Sequence, residues 1–146
     1  MEILRGKKVD LTQIQNRLLR IDDVEYFEGP LMTLFQNFKD NQLFLFDWVQ
    51  SDVQFNRWMV YRTSSIFLTK YINGEISHFN LFMSEEPFCY FIDIDDSLVW
   101  NNCLTIEKNK IPSTYIPKKE VFFKKHNCPN ISRLNEFVQM KAVASR

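Results

Sequence analysis

The chain has 146 residues and a formal net charge of zero, and 45% of its residues are hydrophobic and 15% aromatic. This length suits one domain, 1–146, with its own hydrophobic core, and the aromatic content excludes an intrinsically disordered chain. No apolar run of about 18 residues and no signal-peptide pattern is present, so the sequence predicts a cytoplasmic protein without membrane contact.

Charge is distributed unevenly along the chain. Residues 1–106 carry 9 Lys and Arg against 15 Asp and Glu, a net charge of −6. Residues 107–146 carry 9 basic against 3 acidic residues, a net charge of +6. The pattern indicates an acidic body with a basic C-terminal tail over about 118–146, which either contacts a partner or forms a solvated surface helix. The paired lysines of this tail are Lys118, Lys119, Lys124 and Lys125.

The first predicted element is an N-terminal amphipathic helix over about 10–21, where Leu11, Ile14 and Leu18 follow helical spacing. Strand character begins near Val24, and Gly29-Pro30 is read as a kink or turn within it. The body of the domain is expected to span about 24–117.

Two β-hairpins are predicted next. The first pairs residues 29–38 with 41–50 and is followed by a third strand near 55–64. Two short helices come after it, capped by Ser64 or Ser65 and by Ser77. The second hairpin turns at residues 95–97, and a helix is expected from Ser132. The sum is an α+β, β-rich single domain: about five antiparallel strands in a curved sheet or small barrel, with a two-helix insertion and helical termini.

Five stretches in this order resemble an uncharacterised bacterial family of small accessory proteins, a domain of unknown function: "YFEGPLM", "LFLFDWVQSDVQFNRWMVYRTS", "YINGEIS", "YFIDIDD" and "IPSTYIP". The chain departs from that pattern between Asp47 and Asp52, where the second acid of the hairpin is missing, and at His78, where an aliphatic residue is expected. The resemblance implies a bacterial or phage origin and a role beside partners encoded nearby, as in toxin–antitoxin or phage-defence operons. It assigns no catalytic residue.

Three carboxylates are the candidate catalytic residues. Asp93 and Asp95 share one face of a predicted strand, and Asp47 from the first hairpin could join them around a divalent cation, as in a metal-dependent nuclease or phosphatase. The alternative is structural. Asp95 then belongs to a turn, where Asp caps backbone amides, and Asp93 pairs with Arg57 or Arg62 on a neighbouring strand.

Other chemistries find little support in the sequence. The three cysteines and two histidines lack the close spacing of zinc sites, and isolated glycines cannot form a phosphate-binding loop. No nucleophile motif is present. The sequence therefore predicts no metal and no cofactor.

Aromatic and basic residues alternate on the predicted strands: Trp48, Trp58, Arg57 and Arg62. Such residues anchor protein interfaces, although large aromatic residues also build cores. We therefore expect a non-enzymatic protein-interaction subunit that docks a protein partner through these residues and the tail lysines. Nucleic-acid binding through the basic tail is the other alternative, and the oligomeric state stays open.

Overall fold

The computed structural model describes residues 1–144, which form a seven-stranded antiparallel sheet and four α-helices. The strands are β1 (Lys7–Lys8), β2 (Leu18–Tyr26), β3 (Pro30–Asn37), β4 (Leu43–Ser51), β5 (Phe55–Thr63), β6 (Phe88–Asp95) and β7 (Trp100–Glu107). The helices are α1 (Thr12–Arg17), α2 (Ser65–Ile72), α3 (His78–Met83) and α4 (Ile131–Ala144). Short 3₁₀ turns cover Lys108–Lys110, Ser113–Tyr115 and Lys125–Asn127.

The sheet is an open meander with the order β1-β7-β6-β5-β4-β3-β2. Strands β2 to β7 each pair with their neighbour in sequence, whereas β1 adds to the outer edge of β7. Because β1 and β2 form opposite edges, the segment between them, which contains α1, crosses one face of the sheet. Leu11 and Ile14 pack there against strand residues of that face.

The two faces of the sheet differ in how they are covered. On β5, Met59 and Tyr61 belong to one apolar cluster, and Trp58 and Val60 belong to the other, as the alternation of strand side chains requires. The first face, which we call the helical face, packs against α2, α3 and α4 and holds the main core. The second face, which we call the groove face, is covered in part by α1.

Five of the seven strands were predicted, and the structure confirms both hairpins and the two-helix insertion. The side chains of Ser64 and Ser77 cap α2 and α3 by accepting hydrogen bonds from backbone amides at 3.2 Å each. The predicted strand number is wrong, because β1 and β2 are additional. The sheet is also open, whereas a small barrel was one of the two predicted forms.

The N-terminal prediction is wrong beyond Arg17. The expected helix over 10–21 ends there, and Leu18 to Tyr26 form β2, which pairs with β3 and contributes Val24 to the core. Of the two interpretations of Gly29-Pro30, kink or turn, the structure shows a turn, which joins β2 to β3 in a hairpin. Its turn uses positive φ angles of 56° at Glu28 and 140° at Gly29. Pairing with β3 makes this segment a strand, although the spacing of its apolar residues fits a helix equally well.

The C-terminal helix is confirmed, and it is packed rather than detached. In α4, Leu134 and Val138 are 0% and 1% exposed and belong to the core of the helical face. Ser145 and Arg146, at the end of the predicted basic tail, lie outside the described residues. Within residues 1–144, none of the helices has the length and apolar character required to cross a membrane.

Candidate functional site

The part of the groove face that α1 leaves open forms an aromatic groove with a volume of about 570 Å³. Its floor carries Phe35 from β3, Phe46 from β4, Trp58 from β5 and Trp100 from β7, and Gln15 of α1 lies in one wall. The groove therefore runs across the sheet, and its shape follows from the meander and from the position of α1.

Close packing holds the aromatic floor in place. The ring centroids of Phe35 and Phe46 are 4.4 Å apart, and those of Phe46 and Trp100 are 5.7 Å apart, in both cases with tilted planes. Phe46 is 4% exposed, whereas Trp58 and Trp100 are half-buried. Trp58 and Trp100 both pack against the apolar cluster of the groove face, so each indole has a supported ring and an accessible surface, the arrangement that interface anchors use.

Leu98, in the β6–β7 turn, lies at the rim of the groove. Its side chain is 75% exposed, and its φ angle is 63°, in the left-handed region that favours Gly and Asn. Asn41 and Asn102 occupy this region elsewhere in the chain. A leucine here is exposed and conformationally costly, so folding does not account for its presence.

The polar rim of the groove is mainly acidic. Asp95 accepts hydrogen bonds from two turn amides at 2.9 and 3.0 Å, which place it in the turn and hold its pKa below the ordinary value. The neighbouring Asp96 is exposed and forms no ion pair with the described residues. Arg20 lies at the other end but is paired with Asp23 at 2.8 Å.

The other residues predicted to bind a partner lie around the groove or away from it. Trp48 is 36% exposed, and its indole donates to Asn56 in the groove wall at 3.1 Å. Arg62 pairs with Glu86 at 2.5 Å, beyond the groove. The tail lysines are exposed on the segment between β7 and α4: Lys118, Lys119, Lys124 and Lys125.

Arg57 and Asp93 form a buried ion pair on adjacent strands, as one of the two sequence interpretations predicted. The guanidinium donates to the two carboxylate oxygens at 2.8 and 3.1 Å, and the residues are 7% and 1% exposed. Arg57 also donates to the Tyr115 hydroxyl and the Glu2 carbonyl, while Asn102 donates to Asp93. These bonds satisfy both charges in the interior, so Arg57, which was expected to bind a partner, is buried and does not line the aromatic groove.

A second buried polar cluster joins the sheet to the two-helix insertion. Asp47 of β4 is 5% exposed, accepts a hydrogen bond from the Tyr61 hydroxyl at 2.9 Å, and lies 2.6 Å from His78 Nε2. Burial raises the pKa of Tyr61 well above its ordinary value, so the hydroxyl remains a donor. Beside it, Tyr71 donates to Glu25 at 2.5 Å. The cluster fixes the start of α3 to the sheet.

His78 gives folding stability a pH dependence with a definite sign. Burial alone would lower its pKa, but the carboxylate of Asp47 and its hydrogen bond outweigh that effect, with a smaller contribution from Glu25, and the net shift is upward from 6.5. Because the folded-state pKa is the higher one, the stabilisation is complete below the unfolded pKa and is lost as pH rises through the folded value.

We expect urea unfolding of the wild-type chain, measured between about pH 5 and pH 9, to show this loss of stability as the pH rises above 6.5, the ordinary pKa of histidine. His78→Gln should remove that part of the pH dependence because the residue no longer titrates. His126→Gln is the matched control, since His126 is exposed and lies outside the cluster. Identical profiles for wild type and His78→Gln would contradict the assignment.

The structure gives the three candidate catalytic carboxylates separate partners. Asp47 contacts Tyr61 and His78, Asp93 contacts Arg57, and Asp95 caps its turn. Among residues 1–144, no three His, Cys, Asp or Glu side chains are grouped to hold a metal ion. These contacts provide no shared cation site for the three carboxylates.

Sequence reasoning missed two features of the site. His78 was noted only as a departure from a motif, and its partner Asp47 lies 31 positions earlier, a separation that leaves no local signal. Leu98 directly follows the predicted turn at residues 95–97, and no role was predicted for it. An apolar residue directly after the turn residues Asp95-Asp96-Ser97 is a signal that could have identified it.

Comparisons with protein-family models, with curated proteins and with solved structures found no match to this chain. The site therefore stands on its own geometry.

Proposed function

We propose that this chain is a non-enzymatic protein-interaction subunit, and that its aromatic groove docks a basic segment of a partner protein. The observation that carries this proposal is the groove itself, in which accessible indole surfaces of Trp58 and Trp100 lie beside packed phenylalanines on a sheet face that α1 only partly covers. Anchors of this type supply most of the binding energy of protein interfaces.

Charge complementarity defines the occupant. The groove is lined by two acids, Asp95 and Asp96, and by one arginine, Arg20, which is already paired with an acid. Residues 1–106, which include this lining, carry a net charge of −6. A partner segment with Arg or Lys beside a large apolar side chain satisfies both the acidic rim and the aromatic floor, because cations also bind favourably over indole rings.

Leu98 supports a docking role independently. Its exposed side chain lies at the rim in a backbone conformation that disfavours leucine, and burial against a partner would account for a leucine at this position. From the family resemblance, we further propose that the partner is encoded nearby in a bacterial or phage-related operon.

A display library of random peptides, selected against the full chain, tests the proposal. We expect enrichment of peptides that combine Arg or Lys with an aromatic or aliphatic anchor, and we expect Asp96→Lys to abolish the preference for basic residues. Asp96 is exposed and unpaired, so this variant leaves the fold intact.

The control for the selection is Glu75→Lys, which makes the same charge change at an exposed residue just beyond α2. It should keep the preference of the wild-type chain. Enrichment of acidic peptides, or of the same peptides by the Asp96→Lys variant, would refute the proposed occupant.

A further inference from the structure

An exposed segment of the chain itself has the features expected of the groove's occupant. Residues 118–125, which we call the lysine segment, have the sequence "KKEVFFKK", with four lysines, one glutamate and a net charge of +3. The segment lies between β7 and α4. It combines cations with large apolar side chains, which is the composition that an acidic rim and an aromatic floor favour.

Exposure alternates along the lysine segment. Val121 and Phe123 are half-buried, and Phe123 packs against the core of the helical face, where its ring centroid is 5.5 Å from that of Tyr71. Phe122, which lies between them, is 45% exposed, and Lys124 is exposed as well. One side of the segment is thus attached to the protein, while the other side displays an aromatic ring next to a cation.

The exposed cations of the lysine segment are available for a contact outside the chain. Lys118, Lys124 and Lys125 form no ion pair within residues 1–144. Lys119, in contrast, lies 5.1 Å from the centroid of the Phe79 ring and is engaged within the chain. The two lysines that follow the aromatic pair are therefore the ones that can bind an acid elsewhere.

The position of the lysine segment prevents it from binding the groove of its own copy. The His78 amide donates to the Val121 carbonyl at 2.8 Å, and this bond and the packing of Phe123 hold the segment on the helical face. The aromatic groove opens on the opposite face of the sheet. The segment of one copy can therefore reach the groove of another copy but not its own.

Charge favours such a contact between copies. Residues 1–106, which contain the groove, carry a net charge of −6, and residues 107–146, which contain the lysine segment, carry +6. A head-to-tail arrangement brings the opposite signs together, whereas contact between two like surfaces brings equal signs together. At the rim of the groove, Asp96 is exposed and has no ion pair in the part of the chain that the structure describes, so it can accept a lysine.

We infer that the aromatic groove of one copy binds the lysine segment of a second copy. In this contact the Phe122 ring packs against the indoles of Trp58 and Trp100, and Lys124 pairs with Asp96 at the rim. Two different surfaces meet, so each assembly keeps one open groove and one open segment, and association can continue beyond a dimer. The inference rests on the proposed docking function and names a second copy as an occupant of the groove that competes with the partner protein.

Sedimentation equilibrium of the full chain tests this inference. We expect the average mass to rise above that of one chain as the concentration increases from about 10 µM to 1 mM, and to fall again when sodium chloride screens the opposite charges. A peptide selected by the groove should dissociate the assemblies. A single chain throughout this range would overturn the inference, and binding of the selected peptide would then leave the docking function standing. Association that the selected peptide does not reverse would place the contact outside the groove and overturn it as well.

Charge reversal on the two surfaces gives the decisive comparison. Asp96→Lys and Lys124→Glu should each weaken self-association at least about tenfold, because like charges then meet across the contact. A mixture of the two variants should associate again, since the reversed groove fits the reversed segment and the two unaltered surfaces fit each other. Lys39→Glu is the matched control: it makes the same charge change at an exposed lysine in the β3–β4 turn and should leave association unchanged. Equal association of Lys124→Glu and Lys39→Glu, or no recovery in the mixture, would refute the contact.

Discussion

Asp93→Asn is expected to lower the free energy of unfolding by about 3–5 kcal/mol, the largest effect of any single substitution considered for this chain. The variant leaves the Arg57 guanidinium buried without a counter-charge, and its hydrogen bonds to Tyr115 and Glu2 cannot replace that charge. Urea unfolding at constant pH measures the loss, provided that the slope with denaturant is unchanged.

Two further variants serve as controls for this measurement. Glu107→Gln breaks an exposed pair with Lys110, whose side chain is 70% exposed, and should cost less than about 1 kcal/mol. The double variant Arg57→Met with Asp93→Leu removes both buried charges and should recover most of the stability. If Asp93→Asn is as stable as the wild type and instead abolishes divalent-cation binding, the metal-dependent alternative replaces the structural interpretation.

The second large effect concerns docking. Trp58→Ala is expected to weaken binding of a peptide selected by the wild-type chain by about 2–4 kcal/mol, or roughly 30- to 700-fold in Kd. Trp58 provides a large accessible ring on the groove floor, and truncation leaves the partner's anchor without its contact surface. Isothermal titration with wild type and variant measures the change.

Because Trp58 also packs in the groove-face cluster, Trp58→Ala could lower stability as well as affinity, and a second variant is needed to separate the two effects. Leu98→Asn serves this purpose: asparagine suits the φ angle of 63°, so stability should stay equal or rise, while affinity falls. Ile66→Ala changes a residue that is 60% exposed on α2, remote from the groove, and should leave affinity unchanged. Equal effects from Leu98→Asn and Ile66→Ala would count against docking at the groove.

The strands that could be predicted are those with a local signal. Strands β3 to β7 are rich in aromatic and branched residues and are separated by turn residues or capped helices, so periodicity and turn chemistry locate them. Strand β1 has only two residues, Lys7 and Lys8, and exists because they pair with β7. Leu18, Leu19 and Ile21 fit a helix and a strand equally well, and only pairing with β3 decides between them.

The contacts of the site were likewise predictable only where the sequence carries a local signal. The pairing of Asp93 with Arg57 was predictable as one of two options. In the structure the two residues are opposite each other on β5 and β6, and their side chains lie on the same face of the sheet. The contact between Asp47 and His78 was not predictable, since it depends on how the two-helix insertion folds back onto β4. Whether Trp58 is core or anchor also depends on a distant element: α1 covers one part of the groove face and leaves the other open.

Mapping a bound peptide on the chain tests the central claim most directly. The three tryptophans provide natural reporters in a ¹H–¹⁵N spectrum recorded during titration with a selected basic peptide. We predict the largest shifts at the indole N–H signals of Trp58 and Trp100, a smaller shift at Trp48 beside the groove, and none at the Ile66 amide. Shifts confined to α2 and α4, with the Trp58 and Trp100 signals unmoved, would contradict a partner-docking role for the aromatic groove.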